Sequence, residues 1–352
     1  MNNRQRLPAS LTPLDVARAA LLRALTPVAA GKAAPPQAEG TGLELQPWPP
    51  CDVAAVDGWA LRAADLMGAS SYTPVPLTKA PIWAEAGDRI PEGRDCVVDD
   101  DTVDPAGPIA QALGEAIPGQ GIRRKGGAIT DASRIVDAWR PSRRRSQRGV
   151  RLRVVNIPGG EITAKLIEAS LRASGIDAVF VEAAARDKTS IAQVLDGEDC
   201  DLLIIVGGSG VGRTDAAVLA LAKRGEVVAH GLALQPGRTA AVGRIGATPV
   251  IALPGAPDQA LAVWWTLALP TLDRLTDVAR ETATKPLARK IASSVGIAEI
   301  VLLDETDGAW MPLSVGDLPF TTIAQARAWL VVPGSSEGYA AGTPVDAYVL
   351  RQ

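Results

Sequence analysis

The stretch Leu202-Leu203-Ile204-Ile205-Val206, followed by Gly207-Gly208-Ser209-Gly210-Val211-Gly212-Arg213-Thr214-Asp215, constrains this chain more than any other. An unbroken apolar run of that length reads as a strand buried on both faces, as parallel strands are. Helical periodicity over 214–224 stops at Gly225, so the strand feeds a glycine-rich turn and then a helix. Its surroundings repeat the alternation. Val150, Leu152 and Val154 alternate with Arg151 and Arg153, and 162–174 is helical up to Gly175. Residues 178–181 and 249–253 read as strands, and 190–195 and 258–272 as helices. That order predicts βαβ units and a parallel sheet with right-handed crossovers.

The flanks read differently. Thr12-Pro13-Leu14-Asp15 suits a capped helix start, with Leu14, Ala17, Leu21 and Leu25 on one face. Residues 27–50, rich in Ala, Gly and Pro, read as an extended connector. Between 51 and 119, short apolar pieces separated by Gly and Pro turns predict a small β-rich domain. Residues 120–148 gather Arg123, Arg124, Lys125, Arg140, Arg143, Arg144, Arg145 and Arg148, a solvated hinge or a basic flank for an anionic ligand. Beyond 285, period-two patterns at Ala328, Leu330 and Val332 and at Val345, Ala347 and Val349 predict a terminal β domain. The expected domains are therefore 1–48 with 120–148, 49–119, 149–280 and 285–352.

Composition removes several classes of function. With 36 Lys and Arg against 39 Asp and Glu, a net charge of −3 rules out a nucleic-acid binder held by bulk charge. Three separated cysteines (Cys51, Cys96, Cys200) and one histidine, His230, make neither a disulfide framework nor a His-rich metal site. No apolar run approaches the ~18 residues of a membrane span, and the opening MNNRQRLPAS has no signal-type apolar core, so a cytoplasmic protein without membrane contact is expected.

The turn at Gly207 has the makings of an anion cradle, because glycines let backbone N–H groups approach a ligand and the following helix dipole favours negative charge. Two more loops are expected beside it. Gln235-Pro236-Gly237-Arg238-Thr239 offers the Arg238 fork, and Leu253-Pro254-Gly255-Ala256-Pro257-Asp258 exposes amides at another helix start. Together they predict a pocket for a phosphorylated molecule. Gly207-x-x-x-x-Gly212-Arg213-Thr214 also permits a P-loop NTPase, but Arg is no equivalent of the P-loop Lys and no magnesium-binding Asp follows a clear strand.

Pro49-Pro50-Cys51-Asp52-Val53-Ala54-Ala55-Val56-Asp57-Gly58-Trp59-Ala60-Leu61-Arg62-Ala63-Ala64-Asp65 resembles the signature Pro-Pro-x-x-x-Ser-x-Met-Asp-Gly-Tyr-Ala-Val-Arg-x-x-Asp of the molybdopterin molybdenumtransferase family (MoeA and the gephyrin E domain). Residues 86–98, the turn at Gly207, His230 to Gly237 and Leu253 to Pro257 resemble that family's later motifs in the same order. The resemblance, to a divergent member, covers nearly the whole chain. It implies a multidomain α/β plus β fold: a three-layer molybdopterin-binding α/β domain, an inserted β-rich domain and a small C-terminal β barrel. It also implies a homodimer that inserts molybdate into adenylylated molybdopterin with Mg2+ and releases AMP, alongside other molybdenum cofactor proteins. By resemblance, Asp57 and Asp215 are catalytic and hold metal, and Asp101, from the acidic run 99–101, is a further candidate for a metal site rebuilt from other acids. Gly207, Gly208, Gly237, Arg238, Pro254, Gly255 and Pro257 match family positions that bind the pterin, with or without its adenylyl group, and Ser209, Gly210, Arg213 and Thr214 are expected to bind it as members of the same glycine-rich turn.

The departures are specific. Arg213 replaces the first Asp of Val-Gly-Asp-Tyr-Asp, Gly210 its Ser, Gln235 the Lys of Lys-Pro-Gly, Ala86 a Thr and Ala256 an Asn, while Gly127 and Ala128 stand for two acids. Exchanging Asp for Arg moves the local charge by two units and repels a hard cation that wants several oxygen ligands. An active transferase, a non-catalytic carrier or regulator of the pterin, and the NTPase are the readings the sequence allows. His230 reads as a packing residue, and Trp264 and Trp265 as core or subunit contact.

Overall fold

The computed structural model describes residues 5, 7–8, 10–23, 25–29, 48–126, 132–140, 149–197 and 199–351. The chain forms two compact units, Met1–Glu44 with Asp131–Gln352, and Leu45–Thr130. In the larger unit the predicted alternation runs as β1 (Arg151–Asn156), α1 (Glu161–Ser174), β2 (Asp177–Glu182), α2 (Lys188–Leu195), β3 (Leu202–Val206) and α3 (Ala217–Arg224). It continues as β4 (Glu226–His230), β5 (Leu232–Gln235), β6 (Ala241–Ile245), β7 (Thr248–Leu253) and the long helix α4. This α4 runs from Pro257–Val263 through a π turn at Trp264–Ala268 into Leu269–Thr276.

Strand order in the first sheet is β2-β1-β3-β7-β6-β4. β2, β1, β3 and β7 pair in parallel, whereas β6 pairs antiparallel with both β7 and β4. The all-parallel expectation fails at that edge because β6 and β7 are joined by Gly246-Ala247, a link only a hairpin can use. Val154, Ile204 and Ile251 lie side by side across β1, β3 and β7 and are fully buried. Each such side chain contributes about 1.5–3 kcal/mol. α1 ends at Gly175 in the left-handed conformation (φ 67°), as its sequence predicts.

A second sheet has the order Thr12–Pro13, β5, β9 (Ala298–Thr306), β11 (Ala328–Val332), β12 (Pro344–Val349) and β8 (Thr282–Pro286), with β10 (Ala309–Val315) on β9. Beyond β8, Leu287 bridges Trp310 of β10 and Ala288 N–H donates to Trp310 O (2.8 Å), which turns the β8 edge back toward β10 in the manner of the expected C-terminal barrel, and the sheet borrows β5 from the α/β segment. The chain crosses between sheets at Gly231, whose φ of +83° only glycine takes readily. Thr12 does not cap a helix. Its N–H donates to Gly231 O (2.9 Å), it pairs with Leu232, and the helix begins at Leu14 with Leu14, Ala17 and Leu21 buried.

Inside the arginine-rich stretch, Ala132–Trp139 is a helix that buries Ile135, Val136, Ala138 and Trp139. Flanking charge obscures that face in the sequence. Arg140 pairs with Asp137 (3.1 Å), so this part is a packed element rather than a hinge. Residues 143–148, Gly127, Ala128 and most of the 27–50 connector lie outside the described residues.

The smaller unit is β-rich. Gly58–Leu61 lies between Ile82–Ala84 and Cys96–Val98, beside a second sheet of Val75–Pro76, Gln111–Ala112 and Val103–Asp104. Its core includes Leu61, Leu66, Leu77, Cys96 and Val98. Burial pushes the Cys96 thiol up to about 11, which leaves it unreactive at neutral pH. Among the described residues no helix is long and apolar enough to cross a membrane.

Candidate functional site

The site grows from the carboxyl ends of β1, β3 and β7. Ile157 N–H donates to Val206 O and Gly207 N–H to Leu253 O (2.9 Å each), which locks the three corners edge to edge. A Cβ on Gly255 would sit 3.4 Å from Gly159 O and 3.5 Å from the Gly207 Cα, so the three backbones are in contact. Gly207 (φ +89°) and Gly208 (φ +66°) turn the chain in a conformation costly for other L-residues. The expected meeting of the Gly207 and Pro254-Gly255 loops is therefore present. The Pro158-Gly159-Gly160 loop belongs to the same meeting, and its signal was a Pro-Gly-Gly between strand and helix.

The third expected loop leaves a strand of a different sheet. Since β5 belongs to the second sheet, Gln235–Arg238 does not leave the edge where the others converge. Gly237 instead lies against the start of α4, where a Cβ would meet Val263 Cγ2 at 2.8 Å. Pro257 occupies the first turn of α4 as expected. Arg238 is exposed, and its side chain makes no hydrogen bond among the described residues.

The backbone N–H groups of Gly208, Ser209, Gly210 and Val211, and of Gly255 and Ala256, have no hydrogen-bond partner among the described residues. Gly208 and Ser209 are buried, where such donors are normally paired. Among the described residues, buried side-chain oxygens in the same condition include Ser209 Oγ, and Asn156 Oδ1 at the end of β1. Each leaves about 1–3 kcal/mol of desolvation uncompensated. Groups of this kind gathered at one corner are what an oxygen-rich ligand satisfies.

The start of α3 is not among the open donors. Gln5, buried at 4% exposure, accepts from Val218 N–H (2.7 Å) and Leu219 N–H (3.2 Å) through Oε1. Its Nε2 donates to Gly208 O (2.9 Å) and Gly210 O (2.7 Å). The cradle is therefore made by the turn and not by the helix dipole as expected. Arg213 and Thr214 lie exposed in a turn ahead of Ala217 instead of opening the helix. That placement removes the P-loop geometry, in which the basic residue and its hydroxyl neighbour begin the helix. His230 closes the back of the turn, its Nε2–H donating to Ser209 O (2.9 Å). Burial lowers its pKa below the ordinary imidazole value, against the carbonyl bond, and keeps the ring neutral.

Asp215 is engaged on both oxygens. Oδ1 accepts from Arg186 Nη2 (2.9 Å) and Oδ2 from Gly212 N–H (3.1 Å). Arg186 also donates from Nη1 to Pro158 O (3.1 Å), so its guanidinium ties the first corner to the glycine turn. The remaining acids lie in the smaller unit. Asp57 Oδ1 accepts from Ala86 N–H (2.8 Å), Asp101 is exposed, and Asp100 accepts from the Trp59 indole (3.1 Å). No group of three or more His, Cys, Asp or Glu side chains placed to hold a metal occurs among the described residues. With Asp215 saturated and a guanidinium against it, the residues present do not fit a resident Mg2+.

Comparison with known proteins points the same way as the corner. A family model described as "Probable molybdopterin binding domain" matches residues 154–274, and one described as "MoeA N-terminal region (domain I and II)" matches 45–143. Together they span more than half of the chain. Molybdopterin molybdenumtransferase 2 of Mycobacterium tuberculosis is 26% identical over 366 residues, covering 86% of this chain and 89% of its own. The molybdopterin biosynthesis MoeA protein of Pyrococcus horikoshii OT3 superposes with a TM-score of 0.50 at 19% identity, covering 97% and 100%. A molybdenum cofactor biosynthesis protein of Pyrococcus furiosus gives 0.50 at 18%, covering 96% and 99%. At those identities the two structures speak for the fold, a multidomain α/β architecture. The chain belongs to the molybdopterin molybdenumtransferase family, the MoeA proteins.

Proposed function

We propose that this chain acts in molybdenum cofactor biosynthesis as a transferase that holds molybdopterin, in its adenylylated form, and inserts molybdate with release of AMP. The observation that carries this reading is the set of open amides at the Gly207–Val211 corner. A phosphate presents several acceptor oxygens at once, and N–H groups of Gly208–Val211 and Gly255–Ala256, with the Ser209 hydroxyl, supply donors for them. Bonds from neutral amides to an ionised phosphate contribute roughly 1.5–3 kcal/mol each.

Around this corner Arg213 and Thr214 face solvent and meet the outer, charged part of the ligand. Gly237, Arg238, Pro254, Gly255 and Pro257 shape and charge its sides. Asp215 acts by fixing the turn through Gly212 and Arg186. Asp57, the match to the family's signature Asp, and Asp101, from the acidic run 99–101, are the candidate acids of the smaller unit, and family likeness supports a homodimer in the cytoplasm. The four-domain division expected from the sequence belongs to the same reading.

A relative with the transferase name along most of its length favours the enzyme over the carrier. One assay separates them: adenylylated molybdopterin and molybdate are mixed with the protein while pterin fluorescence and AMP are followed. Binding followed by AMP release is expected. Binding without AMP identifies the carrier, and absence of pterin binding removes both.

A further inference from the structure

We infer that Arg186 is a built-in cation standing where a divalent metal would otherwise bridge Asp215 and the ligand, so that this corner takes its anion without Mg2+. The inference rests on the reading that the corner holds a phosphorylated pterin, but its geometry stands by itself. The Arg186 side chain is 37% exposed and that of Asp215 only 10%, so the pair sits at the wall of the site. One face of the guanidinium lies against Gly159, where a Cβ would come within 2.9 Å of Nη1. A larger residue at 159 would displace it. Nη1 holds Pro158 O and Nη2 holds Asp215, while Nε is buried with no hydrogen-bond partner among the described residues.

This arrangement does what a bridging cation does. It neutralises the carboxylate nearest the cradle, and it pins two strand corners at a fixed separation through directed bonds. A hard divalent ion needs several oxygen ligands. Here one carboxylate has both oxygens taken, and the permanent charge of Arg186 repels a second cation. Arg213, on the same turn, adds charge of the same sign. The corner thus has its carboxylate neutralised with no metal at all, whereas an acidic turn would need one before it could receive a phosphate.

Pterin fluorescence titrations in EDTA and in Mg2+ test this, beside Mn2+ uptake by the ligand-free protein measured by electron paramagnetic resonance. For the wild-type chain, affinity in the two buffers is expected to agree within about threefold, and Mn2+ at about millimolar concentration to remain free. Arg186→Gln uncovers Asp215. Its affinity in EDTA is expected to fall about tenfold or more and to be partly restored by Mg2+, with circular dichroism confirming the fold. Arg186→Lys, which keeps the charge, is expected to stay indifferent to Mg2+. Mn2+ uptake by the wild type that disappears in Asp215→Asn overturns the inference whatever the pterin does. An Mg2+ requirement in the wild type, or none in a folded Arg186→Gln, overturns it too. Failure of the pterin to bind in either buffer, with Mn2+ left free, counts against the proposed function and not against the metal-free corner.

Discussion

Two irregular segments in the larger unit, the π turn at Trp264–Ala268 and the glycine turn at Gly207–Asp215, treat their backbones in opposite ways. In the π turn, loosened carbonyls are covered: Thr266 Oγ1 donates to Ala262 O (2.7 Å), Arg280 to Trp265 O (3.2 Å) and Thr271 to Leu267 O (2.8 Å). The two indoles donate to Trp139 O (2.7 Å) and Ala138 O (2.6 Å), and Trp265 stacks on Trp329 at 4.6 Å. In the glycine turn, the N–H groups of Gly208 to Val211 have no partner among the described residues, although two of those residues are buried. Irregular backbone that only connects is closed by its own protein. Irregular backbone left open at a strand edge is shaped for something that arrives from outside.

The comparison breaks most visibly at the π turn. Trp265→Ala removes a fully buried ring and is expected to cost about 3–5 kcal/mol in denaturant unfolding, while the folded fraction keeps its pterin affinity. A loss of affinity with little loss of stability would mean that the two segments are not separate in role. On the Gln235–Arg238 loop the balance reverses. Arg238→Ala, at an exposed position, is expected to leave the melting curve in place and weaken pterin binding by roughly 1.5–3 kcal/mol.

Gln5 sharpens the contrast, because it closes one side of the otherwise open turn. Gln5→Ala leaves Val218 and Leu219 N–H and two glycine carbonyls without it, a loss of about 0.5–2 kcal/mol in stability by analogy with helix caps. A variant as stable as the wild type would show that water replaces the side chain freely. The smallest effect concerns His230. Its folded pKa lies below the unfolded value, so at mildly acidic pH the unfolded chain binds the proton more readily. Its contribution is complete above about pH 6.5 and is lost as the pH falls toward the folded value. In His230→Gln that part of the acid sensitivity is expected to disappear from pH-dependent unfolding curves.

Much of this was legible in the chain because it is local. The apolar run at 202–206, the glycines after it and Gly175 each dictate their own backbone, and the corner follows from strand adjacency. What escaped depends on contacts distant in sequence. Nothing around Gln5 announces a bond to Leu219, and Arg186 looks like any loop arginine until Asp215 is folded against it. The antiparallel edge hinged on the short Gly246-Ala247 link, a turn signal overlooked beside the stronger strand pattern. The helix at 132–139 was hidden by charge on both sides, although Ile135 and Trp139 stand one turn apart.

Amide hydrogen exchange at Gly208, Ser209, Gly210 and Val211, measured with and without molybdopterin, addresses the open corner most directly. Slowed exchange at these amides on addition of the pterin, with the Trp264–Ala268 amides unchanged, is the predicted result. Binding that leaves all four amides exchanging as before would contradict it and place the ligand elsewhere on the protein.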